Sequence, residues 1–107
     1  MFYAVSGALA FTSSLSSVSD YSGTIGTVAS ACVPANARRA TLLIENPVGN
    51  TNNICYSFSA GVSCSGPGNS ILVPGASDFW PLGSAPLGPI YCVASGAGTA
   101  VTIREQE

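Results

Sequence analysis

The side chains able to do acid–base or metal chemistry are few. There are five carboxylates (Asp20, Glu45, Asp78, Glu105, Glu107), three arginines (Arg38, Arg39, Arg104) and four cysteines, with neither lysine nor histidine. Without histidine the commonest general base is missing. Glu45 and Glu105 lie near the ends of expected strands, Glu107 is terminal and Asp20 sits in a serine-rich stretch, so they read as solvated or interface charges. Serine is abundant, but no G-x-S-x-G elbow occurs: the nearest string, Cys64-Ser65-Gly66, lacks the first glycine. Gly66-Pro67-Gly68 has no lysine of the kind that closes a phosphate cradle. The expectation is a chain that is no enzyme, with no catalytic residue, no metal ligand set and no cofactor.

Cys32, Cys55, Cys64 and Cys92 are separated by 22, 8 and 27 residues. No Cys-x-x-Cys pair exists and no histidine is available, which argues against zinc. No histidine or lysine stands near to lower a thiol pKa, which argues against a nucleophilic cysteine. Two readings stay open. The four are small buried residues in a reducing compartment, or they form two disulfides. Cys55 and Cys64 flank a hairpin or loop and can pair, leaving Cys32 with Cys92, one of three connectivities.

Charge is scarce everywhere: 7% of residues against roughly 25% in an ordinary soluble domain. Three arginines and a net charge of −2 exclude a phosphate-tracking nucleic-acid binder. The 107 residues allow one domain with a modest core. No apolar run reaches the ~18 residues of a membrane-spanning helix. The opening MFYAVSGALA resembles a signal-peptide fragment, with Ala8-Leu9-Ala10 as a small-residue site. No basic residue precedes its short apolar run, so an apolar arm is expected there instead. So little charge suggests a surface that is largely covered by something else.

The elements that would position these residues are β throughout. Residues 1–31 hold eight serines and one charge, with apolar residues at irregular spacing, and read as an extended arm with one strand expected near 24–31. Its apolar residues Phe2, Tyr3, Val5, Leu9, Phe11, Leu15, Val18 and Tyr21 are the expected assembly contacts. From residue 32 onward a sandwich domain is expected. Residues 39–45 alternate, with Ala40, Leu42 and Ile44 on one face and Thr41, Leu43 and Glu45 on the other, until Asn46-Pro47 stops the strand. Residues 54–59 alternate likewise, with Ile54, Tyr56 and Phe58 on one side. Residues 70–73 end at Pro74-Gly75, a turn dipeptide, and 77–81 form another short strand. Residues 90–95 and 99–105 read as a hairpin through Gly96-Ala97-Gly98. Six to eight short strands with turns every 8–12 residues predict a compact antiparallel β-sandwich, jelly-roll-like or immunoglobulin-like.

Arg38 and Arg39 form the only basic cluster and read as the solvated start of a strand or as an interface pair. Trp80, between Phe79 and Pro81, is the expected exposed anchor, because proline marks edge strands. Tyr56, Phe58, Phe79, Trp80 and Tyr91 are of a type that stacks on sugars, although strand alternation favours core packing for them.

The order of these segments resembles small β-sandwich virion proteins of tailed bacteriophages. The carriers are R-R-A-T-L-L-I-E-N-P (38–47), N-I-C-Y-S-F (53–58), I-L-V-P-G-A-S-D-F-W (71–80) and A-P-L-G-P-I-Y-C-V-A-S-G-A-G-T-A-V-T-I-R-E (85–105). They cover roughly two-thirds of the chain and are structural punctuation, not catalytic signatures. The resemblance implies a capsid decoration or cement protein, or a head fibre. Its partners would be the major capsid protein or other virion proteins, in many copies, with no nucleic acid and no membrane. Its place would be the virion, after synthesis in a bacterial cytoplasm. Two alternatives are a receptor- or glycan-binding fibre domain using Tyr56, Trp80 and Tyr91, and a head–tail or tail adaptor.

Overall fold

The computed structural model describes residues 17–107. Nine strands and no helix occur among them: β1 (Val18–Asp20), β2 (Gly23–Ile25), β3 (Ser30–Val33), β4 (Thr41–Glu45), β5 (Ile54–Ser57), β6 (Ser70–Leu72), β7 (Ser77–Trp80), β8 (Ile90–Ala94) and β9 (Thr99–Gln106). One sheet runs β1-β9-β4-β7, with β2 also on β9; the other runs β3-β8-β5-β6. Every pairing is antiparallel.

Strand order sharpens the fold class. β1 pairs with the last residues of β9 and β2 with its first, so the two act as one interrupted strand along β9. Counted that way there are eight strands. The first pairs with the last, the second with the seventh (β3·β8), the third with the sixth (β4·β7) and the fourth with the fifth (β5·β6). This is one long antiparallel hairpin rolled up on itself, the jelly roll.

The core is what alternation dictates. Val33, Leu42, Ile44, Ile54, Ile90, Cys92 and Ile103 have no solvent exposure and interlock between the sheets. Each buried aliphatic of this kind contributes about 1.5–3 kcal/mol of transfer free energy. Val73-Pro74-Gly75-Ala76 is a type II turn: Ala76 N–H donates to the Val73 carbonyl at 2.9 Å, and Gly75 has φ 89°. A side chain at Gly75 would be strained by that positive φ.

Three expectations are corrected. First, the sandwich begins near residue 17, not 32, because β1, β2 and β3 are all sheet members. Second, the strand expected over 24–31 is two strands in different sheets. Between them the chain crosses the layers, and the Gly26 carbonyl accepts the Ala94 N–H at 2.8 Å. Third, residues 90–95 and 99–105 are not a hairpin: β8 and β9 belong to opposite sheets, and Gly98, at φ 66°, lies where the chain turns from one layer to the other.

Candidate functional site

Polar clusters plug the sandwich at both ends of β4. Beyond its start, Arg39 Nε donates to Glu105 Oε1 at 2.7 Å, with both side chains almost wholly removed from solvent. The guanidinium also donates to the carbonyls of Gly88 (3.1 Å), Pro86 and Pro34. Glu105 Oε2 accepts from Asn36 Nδ2 at 2.9 Å and from the Tyr21 hydroxyl at 3.0 Å. Burial pushes the Glu105 carboxyl up, but the Arg39, Asn36 and Tyr21 donors together outweigh it and hold the carboxyl below its ordinary range. Tyr21 moves the other way, raised by desolvation and by the bonded carboxylate.

At the far end of β4, Asn46 is fully buried. Its Nδ2 donates to the carbonyls of Asn52 (2.9 Å) and Leu72 (2.8 Å), and its Oδ1 accepts from Asn50 Nδ2 at 2.7 Å. Near the edge strand β7, the Tyr56 hydroxyl donates to Asp78. Burial, and then that bond, push the Tyr56 hydroxyl up to about 12. Every buried side-chain nitrogen and oxygen among the described residues has a partner. The protein's own groups partner these clusters, which fasten together the strands and loops they join.

The two outer faces of the sandwich differ. Over the β3-β8-β5-β6 sheet, the Cys55–Cys64 disulfide pins the 58–69 loop down, and Val62 packs on Cys55 and Val93 beside Ala29 and Tyr91. A second disulfide, Cys32–Cys92, ties β3 to β8. The structure thus contains the disulfide reading of the cysteines in the Cys55–Cys64, Cys32–Cys92 connectivity. On the other sheet, the outer face carries Val18, Thr41, Leu43, Phe79, Arg104 and Gln106 around a depression of about 180 Å³. Val18 and Phe79 are 65% and 60% exposed.

Of the expected assembly residues, Phe2, Tyr3, Val5, Leu9, Phe11 and Leu15 lie outside the described residues. Val18 is on the open face, whereas Tyr21 packs on the core and bonds Glu105. Arg38 is exposed and meets Glu107 at 3.3 Å. Arg39 is corrected from a solvated or interface arginine to a buried one. It precedes β4, in a turn where its N–H donates to the Asn36 carbonyl, so the strand's alternation does not govern it. Glu105 is corrected likewise, and its signal was present in the sequence. It shares parity with Val101 and Ile103, the inward residues of β9. Trp80 is half-buried against the core, 5.9 Å from the Tyr56 ring, so Phe79 is the outward aromatic of β7. Tyr56 faces the core while Tyr91 lies in the outer cluster over the second sheet, so the aromatics of the glycan reading share no face.

Among the described residues no group of three or more cysteines and carboxylates is placed to hold a metal, and no helix is long and apolar enough to cross a membrane. No family model matches the chain, and no curated protein or solved structure matches it either.

Proposed function

We propose that this chain is a virion structural protein, a capsid decoration or cement protein that binds a phage head in many copies and holds neighbouring subunits together. The observation that carries the reading is the surface. Each of the three arginines is neutralised by a carboxylate: Arg39 by Glu105, Arg38 by Glu107 and Arg104 by Asp20. Among the described residues, Val18, Val28, Val48, Phe58, Val73 and Phe79 are all more than half exposed. A surface this apolar and this short of unpaired charge suits a protein that works against other protein surfaces.

The jelly roll supports the reading by analogy, since capsid and lectin domains use it. Two disulfides suit a particle that persists outside the cell. The segment resemblance over residues 38–105 points the same way. Binding by many copies turns a weak single contact into a firm one through effective concentration. The glycan-binding alternative has less support, because Tyr56, Trp80 and Tyr91 form no common platform.

The test is composition of the particle. Phage banded on a density gradient, from the source that encodes this chain, is expected to hold it at a fixed ratio to the major shell protein by quantitative mass spectrometry. Its absence from banded particles would overturn the reading.

A further inference from the structure

We infer that the 58–69 loop is a redox-operated strap: a dithiol that reduces Cys55–Cys64 frees the loop from the β3-β8-β5-β6 sheet and bares an apolar surface, while the sandwich beneath stays folded. This goes beyond the virion reading and does not depend on it.

The face under the loop needs a cover. Strand alternation turns Ile54 and Tyr56 inward and Cys55 outward, yet Cys55 has no solvent exposure. Val93 stands beside it across β5·β8, and Val62 of the loop closes over both. On the other side of Cys55, across β5·β6, Ile71 is half exposed, and Ala29 and Tyr91 pack against the cluster. An open strap therefore joins Cys55 and Val93 to apolar surface that already meets solvent.

Two fasteners hold the loop to this face. One is Val62; the other is the disulfide, whose Cys64 Sγ lies 3.9 Å from the Val93 carbonyl oxygen. Hydrogen bonds at the loop tip close on the tip itself. Ser63 N–H donates to Asn69 Oδ1 (3.4 Å), Gly66 N–H to Ser63 Oγ (3.1 Å) and Asn69 Nδ2 to the Gly66 carbonyl (3.0 Å). They shape the tip without bonding it to the sheet, so the loop can part from the sheet with these bonds kept.

The second disulfide has the opposite setting. Cys32 and Cys92 belong to paired strands, with Cys32 between the ladder pairs Ala31↔Tyr91 and Val33↔Ile90. That ladder keeps the two sulfurs together whether or not they are joined. Resistance to reduction rises with the effective concentration at which the fold holds the two thiols. It is high for Cys32 and Cys92, and lower for Cys64, which no ladder keeps over Cys55. Cys64 is also the half-buried sulfur of its pair, open to attack. One thiolate of the dithiol attacks Cys64 Sγ and releases Cys55 as a thiolate, which takes up a proton. The second thiol then displaces Cys64, likewise protonated, and the dithiol leaves as a cyclic disulfide with two electrons passed to the protein.

The test treats the full oxidised chain with graded dithiothreitol under native conditions. Iodoacetamide caps the free thiols, peptide mass mapping locates them, and hydrogen exchange follows the fold. Cys55 and Cys64 are expected to be capped at about tenfold less dithiothreitol than Cys32 and Cys92. At that stage the 58–69 amides should exchange about tenfold faster while the ladder amides stay protected, and anilinonaphthalene sulfonate should gain fluorescence. Oxidised glutathione should reverse these changes, and Cys55→Ala/Cys64→Ala should show them without reductant. Capping of Cys32 and Cys92 first or simultaneously would overturn the inference. So would loop amides that do not respond, or a sandwich that unfolds as a whole once Cys55–Cys64 is cut.

Discussion

A carboxylate withdrawn from water persists only where its charge is matched and its lone pairs are filled, and Glu105 has Arg39, Asn36 and Tyr21 for that. Removing one partner leaves the other buried and uncompensated. Glu105→Gln is expected to cost about 3–5 kcal/mol in urea denaturation. The pH dependence follows from the lowered folded-state pKa. Above the ordinary carboxyl value of 4.5 the stabilisation is complete, and it disappears as pH falls through the lower folded value. The variant should therefore show a flatter loss of stability on the acid side than the parent. An unchanged acid limb would show that Glu105 is not the group responsible. At this scale the sequence is a partial guide. Arg38 and Arg39 are identical neighbours, and only the turn from Asn36 sends one outward and the other under the loops. Glu105 was more legible, through its parity with Val101 and Ile103.

Elements were legible where alternation and breakers agree. β4 follows its apolar parity, and the Pro74-Gly75 turn stands where its dipeptide puts it. β5 keeps its parity at Ile54 and Tyr56, but Cys55 is buried on the other face under the 58–69 loop and Phe58, beyond the strand, is exposed. β1 and β2 were hidden because each has three residues in a serine- and glycine-rich stretch, and their main support is the far larger β9. The β8–β9 connection misled because a short Gly-Ala-Gly link suits a hairpin equally well. Only the packing of two layers shows that it turns a corner. The disulfides fasten elements unequally. Cys32–Cys92 spans a separation of 60 residues and Cys55–Cys64 only 9. Loop-closure entropy alone then gives about 4 kcal/mol for the first and about 2.5 kcal/mol for the second. Non-reducing denaturation of Cys32→Ala/Cys92→Ala and Cys55→Ala/Cys64→Ala should reproduce that order; the reverse order would mean that pinning the 58–69 loop matters more than chain entropy.

Over the whole molecule, scarcity of charge acquires a location. Low charge in the sequence suggested a surface largely covered by something else. The folded chain shows the sandwich sharing the deficit, with its arginines neutralised and large apolar side chains standing out on its surface. The jelly-roll order was only one of the sandwich options legible beforehand, because strand order is a property of long-range pairing and not of any local pattern. What the molecule offers a partner is therefore surface, and clamping of neighbouring subunits is the work we assign to it. Phage heads assembled without the chain and then given it back measure that work directly. Add-back is expected to raise the temperature at which the heads release their DNA to that of complete particles, saturating at a fixed number of copies per head. A release temperature unmoved by saturating protein would contradict the account.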